Sequence, residues 1–467
     1  MNLRHPNIEI PEDDPFLNCK LERKKYAEIL LDVVKSSDGF VLAINNEWGT
    51  GKTTFIKMWR QLLVNESFRT IYFNAWENDF ETTPLPAILA ELKSIQKNNN
   101  SIKFNSVLIA GAKVAQNVVP AIAKAFLKSY VDKDVLTEGV GGVAKAATEL
   151  LSDEIKKYTA RQKGMLEFRK NLEEYVLGGD IDKPLIFIID ELDRCRPSYA
   201  VEFLEHIKHF FSVRGIVFVL AIDKNQLCCS VKGAYGNEGF DSENYLRRFI
   251  DVEYSLPKPP NSTFCNFLFG YYGFDDYFNN PSSGRNTRLQ AEAANFLQFS
   301  SLFFEKANMT LRQQEKVFSH LRISLKSFNQ TYLVFPSAYI LLTYLYGYNK
   351  SLYNKIRNRQ LSLQEFVGEI ESILNPCISV TNKKFIVYTD ALLIFLYANY
   401  YIELHQHTSL YIRDDKSQSL KLLVKSLYDS VEDQDLLNRL IAFESSDFYD
   451  QRIDYLLNKV ELLEPLN

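Results

Sequence analysis

The patterned part of the chain begins with apolar residues at helical spacing. Tyr26, Ile29, Leu30 and Val33 recur through Leu21 to Lys35 and predict a helix buried along that stripe. A short continuous apolar run follows, Phe40-Val-Leu-Ala-Ile44, bounded by turn residues, and predicts a buried strand. Helical periodicity resumes from Thr53 to Leu63 through Ile56, Trp59 and Leu63, so the glycine-rich segment between lies at a strand-to-helix junction. Four more apolar runs read as strands: Thr70–Phe73, Leu185–Ile189, Ile216–Ile222 and Phe249–Tyr254. Helical segments such as Ser198–Phe211 separate them. Strands alternating with helices predict an α/β fold, a mainly parallel five-stranded sheet covered by helices on both faces.

The pattern then changes twice. Asn98–Tyr158 is rich in alanine and glycine, with patches such as GVGGVAKAATELL, and is expected to form a helical insertion between the second and third strands. From Phe264 onward helical periods dominate, at Gln290–Phe304, Leu311–Leu325, Ser337–Leu345, Phe385–Leu404 and Asp433–Ile441. Loop-rich breaks fall at 279–284 and near Pro376, and no internal repeat of useful period emerges. The expected organisation is a polar arm over 1–20, an α/β core over 21–260 with the insertion at 98–158, a helical lid over 261–330 and a C-terminal helical domain over 331–467.

Composition changes this picture little. A chain of 467 residues with 46% hydrophobic content can fill more than one core. Its formal net charge of -4 gives no global electrostatic case for nucleic acid or an acidic membrane, and leaves local basic patches open. The six cysteines, Cys19, Cys195, Cys228, Cys229, Cys265 and Cys377, are scattered without CxxC pairing, and the histidines do not join them at metal-ligand spacing. His206 and His209 have no third ligand. Reduced thiols and a polar, acidic first fifteen residues without a signal-like apolar core predict a cytoplasmic protein. Two apolar stretches bear on membranes: 107–127, broken by Lys113, Gln116, Asn117, Pro120 and Lys124, and 332–348, which carries Pro336 and many tyrosines. Buried or amphipathic helices are the expected reading of both.

Chemistry enters at Asn46-Glu-Trp-Gly-Thr-Gly-Lys-Thr-Thr54, which fits the phosphate-binding pattern GxxxxGK[ST] at every defined position except the first. Gly49 and Gly51 let the backbone turn its amides, including those around Trp48, Thr50 and Thr54, toward phosphate oxygens, and the following helix adds its positive N-terminus. Lys52 is then the residue that bridges the β- and γ-phosphates, and the Thr53 hydroxyl a magnesium ligand. Asn46 stands where glycine is expected, and asparagine is the residue that next most easily tolerates a left-handed backbone. The run Leu185–Ile189 ends in Asp190 and Glu191, at the carboxyl edge of a parallel sheet. Asp190 suits magnesium, held through water, and Glu191 suits orienting and polarising an attacking water. Asp193 is placed to cap, or to pair with Arg194 or Arg196, and Trp48 and Trp76 are expected in the core rather than stacked on a base.

With these motifs and the flanking EWGTGKTTF, FNAW and DELDRCRP, followed by VFVLAIDKNQL and YLRRFIDVEYSLP, the chain resembles the KAP family of P-loop NTPases from about Asp14 to Leu325. The resemblance implies a relative of STAND and AAA+ ATPases that uses ATP and magnesium for switching or assembly. It also implies roles that the pattern alone does not supply. Asp223, closing the strand Ile216–Ile222, takes the position of a γ-phosphate sensor. Arg247 and Arg248 fall where relatives carry an arginine finger that acts on a neighbouring subunit, and Arg194 is a further candidate. Arg312 resembles the sensor arginine of a helical lid. Many family members carry membrane helices between the two nucleotide motifs. Here Lys113, Lys124, Asp132, Asp134 and Lys145 interrupt that stretch, so membrane attachment is not expected.

The expected activity is therefore an ATP-hydrolysing switch or assembly platform, with a homo-oligomer or a separately encoded effector as partner and bacterial phage defence as a setting. The alternative is a partner-binding scaffold that holds ATP with negligible hydrolysis. A small-molecule kinase ranks below both, because adjacent Asp190 and Glu191 suit water activation and no arginine-rich lid segment is evident.

Overall fold

Five strands supply the sheet: β1 (Phe40–Asn45), β2 (Thr70–Asn74), β3 (Leu185–Asp190), β4 (Ile216–Ile222) and β5 (Val252–Tyr254). They belong to a computed structural model that describes residues 8–80, 84–94, 105–107, 109–111, 150–177, 183–208, 213–236, 239–278, 286–328, 334–405, 410–413, 420–428, 430–446 and 450–463. The chain divides into two units, Ile8–Lys258 and Pro259–Asn467.

In the first unit the strand order is β2-β3-β4-β1-β5, and every pairing is parallel. Parallel strands need crossovers, and helices provide them, so both faces of the sheet are covered. β3 and β4 are buried at every position, which is why they read as unbroken apolar runs. Alternation along each strand divides the core in two. Val41, Ala43, Phe187, Leu220 and Ile222 pack with residues of the helices Leu85–Ser94, Leu150–Leu177, Pro197–Ile207 and Lys224–Tyr235. Leu42, Ile44, Ile186, Val217 and Val219 pack with the helices Lys24–Lys35 and Lys52–Asn65, where Trp59 is fully enclosed.

Two expectations shift. The stripe of the helix Lys24–Lys35 that faces the core is Ala27, Leu30, Leu31 and Val34, while Ile29 and Val33 are 52% and 39% exposed. Both stripes have helical spacing and differ by one residue, about 100° of rotation. The small Ala27 lets the helix lie close to the sheet on the side that holds two leucines. The last strand is shorter than expected, Val252–Tyr254, because Phe249 sits in the core at the end of a helical turn, its N–H on Leu246 O at 2.9 Å. Asp251 then meets β1 directly, donating its N–H to Val41 O at 3.0 Å and accepting the Val41 N–H on Oδ2 at 2.8 Å. Most of the expected insertion 98–158, including Lys113, Lys124, Asp132, Asp134 and Lys145, lies outside the described residues. Val107 and Ala110 join the core there, and the helix Leu150–Leu177 leads back to β3.

The second unit is mainly helical. Its helices include Asn286–Lys306, Leu311–Ser324, Pro336–Tyr348, Lys383–Ile402 and Ser430–Glu444, and a short antiparallel pair, Tyr411–Arg413 with Leu420–Leu422, was not anticipated. The helices of 261–330 and those beyond form one unit, with Asn286–Lys306 and Leu311–Ser324 both packed on Pro336–Tyr348. Pro336–Tyr348 is buried over most of its length, which explains its lack of charge. One helix among the described residues, Lys383–Ile402, is long and apolar enough to cross a membrane. Within this unit 72% of its apolar stretch is buried, against Leu363–Leu374, Ser430–Glu444 and Ile453–Val460 among others.

That helix carries a fully buried carboxyl, Asp390, beside the equally buried Glu371 and the Tyr428 hydroxyl. Burial first, and the Glu371 charge second, hold Asp390 well above the usual carboxylate range. A raised folded-state value means that this group favours the fold most below the unfolded carboxylate pKa and disfavours it progressively as pH rises toward the folded one. Asp390→Asn removes the titration. Its melting temperature is expected to exceed that of the wild type by more at pH 8 than at pH 4. An equal difference at both pH values contradicts the assignment.

Candidate functional site

The carboxyl ends of β1, β3 and β4 lie level, because Asn45 pairs with Ile222 and Asp190 with Ala221. Residues leaving these ends therefore meet in space, as at the open edge of a parallel sheet. From β1 the chain turns through Asn46–Gly51 into the helix Lys52–Asn65. Gly49 and Gly51 hold φ of 80° and 81°, conformations that a side chain would strain, and Gly51 is the residue that opens the helix. Thr50 closes the turn from inside, its hydroxyl donating to Glu47 O at 2.9 Å.

Asn46 does not use the left-handed backbone that asparagine tolerates. Its side chain gives the reason. Nδ2 donates to Leu256 O at 2.9 Å and Oδ1 accepts the Leu256 N–H at 2.8 Å, so the amide pairs with a whole peptide group beyond β5. Asparagine is there for its amide, which glycine lacks.

Lys52 is 8% exposed and folds back to donate to Asn46 O. Burial lowers its pKa, the carboxylates of Asp193, Asp223 and Asp190 oppose that, and the nearby Arg194 charge adds to the lowering. Asp190 is 1% exposed and accepts from the Tyr72 hydroxyl at 2.9 Å, from the Glu191 N–H at 2.9 Å and from the Thr53 hydroxyl. Burial nevertheless raises its pKa. Two hard oxygen donors, Thr53 and Asp190, thus stand together beside the loop, a donor set that fits magnesium. Thr54 follows in the first helical turn, half-buried.

Glu191 begins the turn after β3 with φ of 61°, an uncommon backbone for its type that costs roughly 1 kcal/mol or more. Its carboxylate is held at both oxygens. Oε1 pairs with Arg194 at 2.9 Å and Oε2 accepts from Asn74 Nδ2 at 3.3 Å. Asn74 ends β2 opposite Asp190, so the register of β2 on β3 sets this contact. Arg194 lies near two indoles, 5.9 Å from the Trp48 ring centre and 6.0 Å from that of Trp76. Trp48 also donates its Nε1–H to Asp193. Neither tryptophan is in the core as expected: they are 42% and 54% exposed. The interior near these strand ends is filled by residues such as Phe73, Leu192 and Trp59, and the loop and turn that carry Trp48 and Trp76 run above it.

The remaining sequence-derived residues lie further out or are engaged otherwise. Asp223 caps the helix Lys224–Tyr235, its Oδ1 accepting from the Asn225 and Gln226 N–H groups at 3.1 and 3.3 Å. Arg247 and Arg248 are exposed after the helix Ser242–Leu246, with Arg247 at 4.0 Å from Glu243. Arg312 is exposed in the first turn of the helix Leu311–Ser324 in the second unit, behind the capping box of Thr310 and Gln313. Asp193 bonds Trp48, and Arg196 pairs with Asp79 at 2.8 Å. His206 contacts Glu202 O through Nδ1, His209 lies outside the described residues, and the six cysteines are free. Among the described residues no group of three or more His, Cys, Asp or Glu side chains gathers at metal-binding distance.

Sequence reasoning missed Arg23. It is 3% exposed and donates NH1 to Gly51 O at 3.1 Å and NH2 to Thr50 O at 2.8 Å. With those two carbonyls held from behind, their peptides are fixed in orientation, which a loop of free amides needs if it is to wait for an anion. Burial lowers the pKa of this guanidinium. Nothing local in the sequence separates Arg23 from its neighbours Lys24 and Lys25. Its partner is 27 residues away. Tyr72 and Asn74 were missed for the same reason.

The KAP family P-loop domain, as a family model, matches residues 21–331. The chain is 19% identical over 274 residues to the phage T7 exclusion protein of Escherichia coli strain K12, an alignment covering 54% of this chain and 34% of that protein. The match thus spans about a third of the relative's length. Among solved structures, the ORC2 protein of Aeropyrum pernix in ADPNP and ADP complexes is matched over 91% of this chain and 95% of that one, at 16% identity. The TM-score of 0.29 is too low for that likeness to carry an argument.

Two substitutions test this frame. Asn46→Gly restores the pattern's own glycine yet is expected to destabilise the first unit by about 1–3 kcal/mol, through the lost pairing with the Leu256 peptide. Chemical denaturation measures it, and unchanged or higher stability contradicts the account. Arg23→Met keeps an apolar stem of similar length and strands two carbonyls. It is expected to cost about 2 kcal/mol, read by the same denaturation curves. A gain in stability would mean that the guanidinium's burial outweighs its bonds.

Proposed function

The chain belongs to the KAP family of P-loop NTPases, and we infer that it binds ATP with magnesium at the Asn46–Thr54 loop and hydrolyses it as a nucleotide-dependent switch. The observation that carries this reading is the level meeting of Lys52, Thr53, Asp190 and Glu191 at the strand ends. In it, the loop amides and the N-terminus of the helix Lys52–Asn65 bind the phosphates, and Lys52 leaves the Asn46 carbonyl to meet them. Thr53 and Asp190 would hold magnesium, which when bound offsets phosphate charge. Glu191 orients a water and accepts its proton as the water oxygen bonds the γ-phosphorus. The bond from that phosphorus to the bridging oxygen breaks, and ADP and phosphate leave.

Because Asp223 already caps a helix through Oδ1, its contribution in this reading is the remaining oxygen and its field on Lys52. Arg247 and Arg248, both exposed, are the arginines offered to a neighbouring copy, and Arg312, also exposed, is the candidate nucleotide-sensing arginine. A role in phage exclusion rests on the distant relative of that name, and the partner in it is a second copy or a separately encoded effector.

Lys52→Ala is expected to lower ATP affinity by 10-fold or more, about 1.4 kcal/mol at the least. Glu191→Gln should bind ATP as tightly as wild type and lose on the order of 100-fold in turnover. Radiolabelled ATP binding and phosphate release measure both. Equal turnover in wild type and Glu191→Gln would favour the scaffold reading, in which bound ATP is not consumed.

A further inference from the structure

The hydrogen bonds of Glu191 leave it poorly prepared for the task just assigned to it. A general base needs a lone pair aimed at its water, and here two of about four acceptor sites on the carboxylate are committed, one oxygen to Arg194 and the other to Asn74. The pair is local, three residues apart across the turn Leu192–Arg194, and its members are 29% and 13% exposed. The guanidinium is also tied to the loop before Lys52, because Asp193, its chain neighbour, accepts from Trp48. Whatever anion Lys52 holds will therefore attract Arg194 as well. The half-exposed indoles of Trp48 and Trp76 both lie within cation–π reach of the planar guanidinium.

We propose that Arg194 is an in-subunit switch that pairs with Glu191 in the absence of a γ-phosphate and transfers to that phosphate when ATP is bound. The transfer frees the Glu191 carboxylate for water in the same motion that adds a positive charge to the reacting phosphoryl group. It makes the protein discriminate ATP from ADP, because only ATP carries a phosphate at the γ position, where it competes with the carboxylate for the guanidinium. The backbone supports such a device. Glu191 sits in a strained left-handed conformation at the end of β3, while Asp193, the neighbour of Arg194, is tied to Trp48 of the phosphate loop. A change at the loop is thereby coupled to the turn that carries the arginine.

The inference rests on the reading that Lys52 holds ATP, and the test separates the two. The chain has three tryptophans, of which Trp59 is buried in the core and Trp48 and Trp76 flank Arg194. Tryptophan emission is recorded for wild type, Arg194→Ala and Arg194→Lys with ADP and with a non-hydrolysable ATP analogue, alongside affinities and turnover. For wild type, emission is expected to differ between the two nucleotides, and the difference to disappear in Trp48→Phe/Trp76→Phe. Arg194→Ala is expected to bind ADP within about twofold of wild type, which also shows that it folds, to lose the emission difference, and to lose on the order of 100-fold in turnover. Arg194→Lys, which keeps charge without the fork, should fall between. If Arg194→Ala retains the emission difference and turnover, or hydrolyses faster than wild type, the proposal is overturned, the last result marking Arg194 as a restraint on Glu191 alone. Wild type that binds both nucleotides with identical emission also overturns it and leaves ATP binding intact. Wild type that binds neither overturns both readings.

Discussion

Everything at this site depends on the register of a parallel sheet. With Asn45 opposite Ile222, Asp190 opposite Ala221 and Asn74 opposite Asp190, four strands end at one level. The residues that follow those ends are thereby forced into one small volume. A slip of one residue in β3 would turn Asp190 to the other face and carry Glu191 away from the loop. The register is protected by burial on both faces: β3 and β4 have no exposed position, so a slip would exchange well-packed partners throughout the core. Stability of the sheet and placement of the chemistry are in this sense the same property.

The electrostatics follow from that compression. Lys52 is buried among Asp190, Asp193 and Asp223, with Arg194 at the margin, so the carboxylates outnumber the cations before any ligand arrives. A polyanion entering such a site disturbs several pairings together. The Lys52–Asn46 contact and the Glu191–Arg194 pair both involve cationic groups that also bind phosphate. Arg23 behind the loop and Asn46 beneath it are different in kind. They bind carbonyls or a peptide group and give the loop its fixed shape.

What was legible in the sequence divides along the same line. Gly49, Gly51, Lys52 and Thr53 are contiguous, and their spacing between an apolar run and a helical period is a local signal. Asp190 and Glu191 were visible because β3 is an unbroken apolar run that stops abruptly at two acids. Arg23, Tyr72 and Asn74 matter only through partners that the fold brings to them, and a polar residue before a helix or at a strand end has many bland explanations. Asn46 was noticed but explained by backbone tolerance, whereas its amide pairs with Leu256, 210 residues away. Trp48 and Trp76 were assigned to the core on hydrophobicity, and they stand outside it because a guanidinium and a carboxylate hold them there. The helix Lys24–Lys35 shows the limit of periodicity itself, since two stripes one residue apart satisfy the same spacing.

The central claim is that this cluster is built to receive ATP with magnesium. Calorimetric titration of the intact wild-type protein with ATP, in the presence of magnesium and again with the metal chelated, tests it most directly. The account predicts one site per chain and an affinity that falls when magnesium is removed. Absence of binding at millimolar ATP, or an affinity indifferent to the metal, would contradict it.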